Sequence, residues 1–292
     1  MRHKQRLSLI LKILIRIIFG AGILLAILGL VGLYDVLHPP RIVPPGYTLL
    51  EENVPFQKVD LLTSDGIRLT AWYTPPKNGA IILLAHGYGD NRPEWVHAML
   101  AKKGYGVLAW DARAHGESDG EISTIGYSEV LDVKAALVFA LTQPDVKHIG
   151  AWGGSMGGAT MIRAAAEFHH IEALVVDSSF ASLNEEIDFL APYPLVNPTA
   201  KLFMGLFLGV NLDASSPTAL IGKISPRPIF IIQGSGDSVA SPESAQKLYD
   251  AAGEPRYLWT EENVIHLGMY LNNPRKYKRR VIDFFDENLL GK

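Results

Sequence analysis

The chain has 292 residues, 48% of them hydrophobic, no cysteine and a net charge of -3. That length accommodates one large α/β domain plus an appendage, and the missing cysteine excludes disulfides, thiolate catalysis and cysteine-based metal sites. Residues 1–50 hold six Lys/Arg side chains against the single acid Asp35, so the remainder is acidic, which argues against a nucleic-acid partner because phosphate binding needs clustered Lys and Arg.

From Ile17 to Tyr34 no residue is charged, and the run is rich in Ile, Leu, Gly and Ala. A hydrocarbon core of ~30 Å needs about 20 helical residues at a rise of ~1.5 Å each. Residues 1–37 therefore read as a basic N-terminus and a transmembrane anchor, with Lys12 and Arg16 able to snorkel to the headgroups. Five Lys/Arg residues precede Ile17 and no acid does. By the positive-inside rule the N-terminus is cytoplasmic and the body lies across the membrane. A cleaved signal peptide would want a shorter apolar core and a small-x-small site; Leu30-Val31-Gly32-Leu33-Tyr34 is a poor one, which favours the uncleaved anchor. Residues 38–46, with Pro39-Pro40 and Pro44-Pro45, read as a stiff extended spacer. The soluble domain is expected at 47–292.

Within that domain, Gln57–Thr63 and Ile67–Thr74 flank Ser64-Asp65-Gly66 as a hairpin. Ala80–Ala85 is continuously apolar and reads as a central strand, ending in His86-Gly87-Tyr88-Gly89. Further strands are expected at 105–110, 147–152, 172–176, 228–232 and 256–260, and helices at 93–103, 125–141, 242–252 and 274–289. Strand and helix alternate at βαβ spacing. The expected fold class is α/β, with a mostly parallel central sheet and helices on both faces. Residues 181–225 break this rhythm with Ala191-Pro192-Tyr193-Pro194 and the apolar run Leu202–Leu208.

Gly153-Gly154-Ser155-Met156-Gly157 spells G-x-S-x-G. Before it lies an apolar strand; after it lies an alanine-rich, proline-free helix. A serine at such a turn has its hydroxyl lifted clear of the sheet, with helix N–H groups facing a developing negative charge. A Gly-rich turn without reactivity is the competing reading of the motif by itself.

The ordered stretches HGYG at 86–89, DARAHGESDG at 111–120, GGSMG at 153–157, VVDSSF at 175–180, Gly234…Asp237 and His266 resemble the α/β-hydrolase fold family over about residues 50–290. Within it the chain looks most like the membrane-anchored serine hydrolases of the BEM46-like and serine-aminopeptidase-like group. The resemblance implies a nucleophile, acid, histidine order along the chain. Ser155 is then the nucleophile. Of nine histidines, only His266 follows the last predicted strand, so it is the expected base; His115 reads as structural. Two acids compete: Asp237, after a strand and in a Gly-x-x-Asp arrangement, and Asp177, at the end of the preceding strand. Asp237 fits the commoner arrangement, leaving Asp177 as a loop-fixing acceptor. The backbone N–H groups of Met156 and, by resemblance, Tyr88 are the expected oxyanion donors. In this fold an insertion such as 181–225 caps the site. An apolar cap suggests an apolar acyl or alkyl substrate with the bilayer as a source; a segment that merely packs on the core is the alternative.

The reading is thus a membrane-anchored serine hydrolase of an ester, thioester or amide, with no metal or organic cofactor. An acyltransferase on the same scaffold and a non-catalytic, hydrolase-like membrane interaction module are the alternatives.

Overall fold

The computed structural model describes residues 2–190 and 193–292. Ala191 and Pro192, part of the proline-rich break noted above, lie outside the described residues. Helix α1 (Arg2–Leu37) leads through residues 38–46, which form neither helix nor strand, to the short α2 (Tyr47–Glu51). The hairpin forms β1 (Gln57–Leu62) and β2 (Arg68–Thr74). Then β3 (Ala80–Ala85), α3 (Glu94–Ala101), β4 (Gly106–Trp110), α4 (Val130–Leu141), β5 (His148–Gly154), α5 (Met156–Glu167) and β6 (Ala173–Asp177) alternate. Among the described residues, α6 (Leu183–Leu190), α7 (Asn197–Leu208), α8 (Pro217–Leu220) and a 3-10 turn (Ile221–Ile224) interrupt the alternation. The chain finishes with β7 (Ile229–Gly234), α9 (Ser244–Ala251), β8 (Arg256–Glu261), α10 (Met269–Asn272) and α11 (Pro274–Leu290).

The eight strands form one sheet in the order β1-β2-β4-β3-β5-β6-β7-β8. Only the pairings of β1 with β2 and of β2 with β4 are antiparallel; β3 to β8 run parallel. The apolar run of β3 shows why the sheet is buried on both sides. Ile81, Leu83 and Ala85 join the core beneath α4, α5 and α9, whereas Ala80, Ile82 and Leu84 join the core beneath α3 and α11. Successive side chains of a strand point to opposite faces, so one continuous apolar segment feeds two cores.

One helix starts later than the sequence suggests. The segment predicted from Ile125 becomes helical only at Val130, because the buried Glu129 gathers the preceding loop around its carboxylate. It accepts bonds from the Thr124 and Gly126 N–H groups and from the Ser123 and Thr124 hydroxyls, all at 2.8 Å. Ile125 and Gly126 take positive φ values there, which a helix cannot hold.

The N-terminal segment does not stand off from the body. In α1, the window Leu9–Leu37 is long and apolar enough to cross a membrane. Its far end carries a stripe at four-residue spacing, Gly29, Leu33 and Leu37, that is buried. Leu33 and Leu37 share an apolar cluster with Phe180, Leu183, Met204 and Val210 of the interrupting segment, and with Ala159 of α5. The 38–46 segment lies along the body and does not act as a free spacer. Arg41 donates to the carbonyls of Ser118 and Gly120, each at 2.5 Å, and Ser123 N–H donates to the Leu37 carbonyl at 2.8 Å.

Charge-assisted bonds of this kind contribute about 1.5–3 kcal/mol. Arg41→Ala should therefore free the 38–46 segment, and a local cost of about 1.5 kcal/mol raises its opened fraction roughly tenfold. Limited proteolysis of the full chain in detergent should show faster cleavage between α1 and α2. The body should remain as resistant as before.

Candidate active site

β3, β5, β6, β7 and β8 are consecutive neighbours and parallel, so their C-terminal ends form one rim. With neighbouring strands ~4.8 Å apart, groups two strands away from each other start within about 10 Å, and the loops close the rest.

Ser155 sits between β5 and α5 with φ 53° and ψ -121°. A non-glycine residue in such a region costs about 1–3 kcal/mol and persists only where its surroundings hold it. Two contacts hold it here. The Ser155 N–H donates to the Asp177 carbonyl at 2.8 Å. The first turn of α5 is pressed against the end of β3: a Cβ on Gly157 would lie 2.2 Å from the Ala85 carbonyl oxygen. The motif's last glycine is therefore there for backbone approach. The side chain of Ser155 is half-buried.

His266 lies in the loop after β8. That loop folds back over the end of β7, where Gly236 N–H donates to the Val264 carbonyl at 3.0 Å. A Cβ on Gly234 would meet the same carbonyl oxygen at 2.0 Å, so only glycine admits the crossing. His266 Nδ1 is 2.8 Å and 3.0 Å from the two carboxylate oxygens of Asp237. The Asp237 side chain is fully buried, and its Oδ1 also accepts the N–H groups of Val239 and Ala240 at 2.9 Å. A proton on Nδ1, held by the carboxylate, leaves Nε2 unprotonated as a base.

Asp177 has different partners. It accepts from the Tyr277 hydroxyl at 2.7 Å and from Ser178 Oγ at 3.1 Å, and Tyr277 in turn accepts from Trp152 Nε1 at 3.0 Å. Burial pushes its carboxyl up to about 6, against the lowering effect of the Tyr277 and Ser178 bonds. Ser178 Oγ accepts the N–H of Leu267, the residue after the histidine, at 3.1 Å. Leu267 reaches toward the elbow: a Cβ on Gly154 would be 3.2 Å from its Cδ2. Among the described residues no hydrogen bond joins Ser155 Oγ to the imidazole.

The HGYG loop runs directly beside the serine, with a Cβ on Gly87 falling 3.2 Å from Ser155 Cβ. Two buried histidines brace it. His86 bonds the Gly87 carbonyl through Nδ1 at 2.7 Å and accepts Ala112 N–H at Nε2 at 2.9 Å. His115 bonds the Arg113 carbonyl through Nδ1 at 2.8 Å and accepts Gly89 N–H at Nε2 at 3.1 Å. Burial lowers both, His115 to about 4, which keeps them neutral and able to accept. Among the described residues the Tyr88 N–H has no protein acceptor, and the Met156 N–H opens α5, where no intrahelical acceptor exists. The Met156 side chain is buried and that of Tyr88 is exposed.

The sequence did not single out Glu186 on α6. It is buried at 6% exposure. Burial raises its carboxyl to about 7, with the nearby Asp237 charge pushing the same way and a backbone bond from Ser241 opposing. No periodicity marks it out; only the packing of α6 against the β7 loop reveals it. Among the described residues no group of three or more His, Asp or Glu side chains is arranged to hold a metal ion.

Glu186 gives a signed pH dependence. Its pKa is higher folded than unfolded, so its contribution is fully present below pH 4.5 and is lost as pH rises through about 7. Glu186→Gln should escape that loss and gain on the wild type as pH rises from 5 to 9. Parallel thermal unfolding of the two proteins across that range checks it.

A family profile described as alpha/beta hydrolase fold matches residues 80–196. Protein YqkD of Bacillus subtilis is 29% identical over 225 residues, covering 70% of each chain. The alpha/beta hydrolase domain-containing protein WAV2 of Arabidopsis thaliana is 27% identical over 255 residues, covering 80% of each. Among solved structures, the esterase Pf2001 of Pyrococcus furiosus superposes with a TM-score of 0.73 at 28% identity, covering 87% of this chain and 98% of that one. Est1E of Butyrivibrio proteoclasticus, solved with ferulic acid, gives a TM-score of 0.65 at 21% identity over 80% of this chain and 99% of that one, a likeness of fold alone.

Proposed function

We propose that this chain, a member of the α/β-hydrolase superfamily with an esterase-like fold, is a serine hydrolase acting through an acyl-enzyme on Ser155. The single observation that carries this reading is the buried Asp237 carboxylate on His266 Nδ1 at 2.8 Å, at the same rim as a serine in elbow geometry. In the reaction His266 Nε2 takes the proton of Ser155 Oγ as that oxygen attacks the substrate carbonyl. The negative charge developing on the carbonyl oxygen meets the N–H groups of Met156 and Tyr88, donors worth about 3–4 kcal/mol each. The imidazolium gives its proton to the leaving group. A water, deprotonated by the same imidazole, then releases the acid. Asp237 keeps the imidazole in the right tautomer throughout.

An ester is the favoured substrate class, with thioesters and amides sharing the chemistry. The likeness to an esterase supports this choice, as do the exposed apolar residues beside the site: Tyr88, Val239 and Ile265. Within the superfamily we assign the chain to the membrane-anchored, BEM46-like and serine-aminopeptidase-like group. In this reading α1 is the anchor, with its N-terminus in the cytoplasm and the body across the membrane, because the basic residues precede the apolar run.

A fluorophosphonate probe should label the wild-type protein at Ser155 and fail on Ser155→Ala and His266→Ala. Labelling of Ser155→Ala at the wild-type rate would falsify the assignment. Between the two acids, Asp237→Asn should lower ester turnover by about 10³–10⁴, as loss of the orienting carboxylate does in such triads. Asp177→Asn should mainly lower thermal stability, and a larger turnover loss there than at 237 would exchange their roles. Orientation has its own check: protease added outside intact spheroplasts should digest the body, and its protection would reverse the proposed topology.

A further inference from the structure

Helix α7 exposes an apolar face as well as burying one side. Asn197, Met204 and the half-buried Ala200 and Leu208 turn inward. Leu202, Leu206 and Phe207 turn outward and are 57%, 67% and 69% exposed. The helix's one charged side chain, Lys201, does not point into this outer face: it is bound by Asp188 at 2.7 Å and its side chain is 17% exposed. The approach to the helix adds Leu195, 71% exposed. A helix facing water normally carries charge on its outer face, and this one carries none.

What lies beside it says what covers it. α7 packs on α1, and the contact is close: a Cβ on Gly29 would lie 2.9 Å from Thr199 Cβ and 3.2 Å from the Ala200 N. Small residues allow such backbone approach between helices in lipid. The position of Gly29 along α1 fixes the height of α7. If the hydrocarbon begins at Ile17, just past Arg16, a ~30 Å core ends about 20 residues later, near Val36, and Gly29 lies about 10 Å inside it. If the span is instead shifted toward Leu9, with Lys12 and Arg16 snorkelling, Gly29 lies at the boundary itself. Both placements put α7 at or beneath the membrane surface on the body's side, at the depth where interfacial helices rest, about 5–10 Å into the headgroup and acyl boundary.

We infer that α7 is a second membrane element, lying in the body-side leaflet against α1, with Leu202, Leu206 and Phe207 in contact with lipid. The inference rests on α1 spanning the membrane and not on the chemistry proposed for Ser155. It has a consequence for that chemistry all the same. α6, which precedes α7, carries Glu186 beside Asp237 and His266, and its Leu183 shares an apolar cluster with the end of α1. The rim with Tyr88, Val239 and Ile265 thus opens next to the leaflet, and an acyl chain can pass from lipid to the serine without crossing water.

The absence of cysteine allows a direct test. Single variants Leu202→Cys and Leu206→Cys of the full chain, spin-labelled and reconstituted into phosphatidylcholine–phosphatidylglycerol vesicles, report contact with oxygen, which concentrates in lipid, and with a nickel chelate, which stays in water. Ile18→Cys on α1 is the lipid reference and Leu141→Cys, at the opposite edge of the sheet, is the aqueous one. Both cap positions are exposed, so the label needs no room in the core. The expected result is oxygen-dominated relaxation at 202 and 206, of the same sign as at 18 and opposite to that at 141. Chelate-dominated relaxation at 202 and 206 with a lipid signal at 18 overturns the inference and leaves the anchor standing. An aqueous signal at 18 overturns the anchor and the inference together.

Discussion

Two residues at the end of β6 hold the site together. The Asp177 carbonyl takes the N–H of Ser155, and the Ser178 hydroxyl takes the N–H of Leu267 beside His266. Ser155 and His266 come from segments over a hundred residues apart, and both hang from this one point of the sheet. The Asp177 carboxylate is fixed from below by Tyr277, itself bonded to Trp152 on β5. The brace is therefore tied into α11 and into the strand that leads to the elbow. Hydrogen bonds inside a low-dielectric core are stronger than in water, and leaving one partner unpaired there costs about 1–3 kcal/mol. Ser155 and the residue after His266 are thus both tied to the end of β6 by hydrogen bonds.

Much of the rim was legible in the sequence because its signals are local. The elbow is a strand, a turn and a helix in one short stretch, and its glycines answer to contacts made within that stretch and the neighbouring β3. The place of His266 after the last strand was legible from chain order. Chain order and the Gly-x-x-Asp arrangement favoured Asp237 over Asp177, but the sequence could not set either against the histidine; the loop that crosses Gly234 brings the imidazole onto Asp237. Glu129 was missed for a similar reason. Its carboxylate draws four donors from residues 123–126, and that tertiary gathering overrides the helical pattern beginning at Ile125. Glu186 gave no signal at all, because a lone acid on an amphipathic helix looks like a solvated one.

The N-terminal part illustrates a different limit. Composition identifies an apolar run and a proline-rich stretch, and from these alone a rod and a spacer are the natural expectation. Whether such segments swing free depends on partners far along the chain: the carbonyls of Ser118 and Gly120 for residues 38–46, and Thr199 and Ala200 of α7 for α1. The apolar character of residues 202–208 was plain from the sequence; that one side of this helix packs inward while Leu202, Leu206 and Phe207 stay exposed was not.

The Arg41 clamp changes what kind of attachment the first helix provides. A flexible tether would let the body sweep a hemisphere above its point of fixation, meeting substrates at many heights and in many poses. With Arg41 fastened to the loop at 118–120 and Leu37 to Ser123, that freedom is gone. With α1 in a bilayer and Ser155 as the nucleophile, as proposed, the rim would work at one altitude and one tilt, and its encounters would become a two-dimensional search among molecules drifting sideways in the same plane.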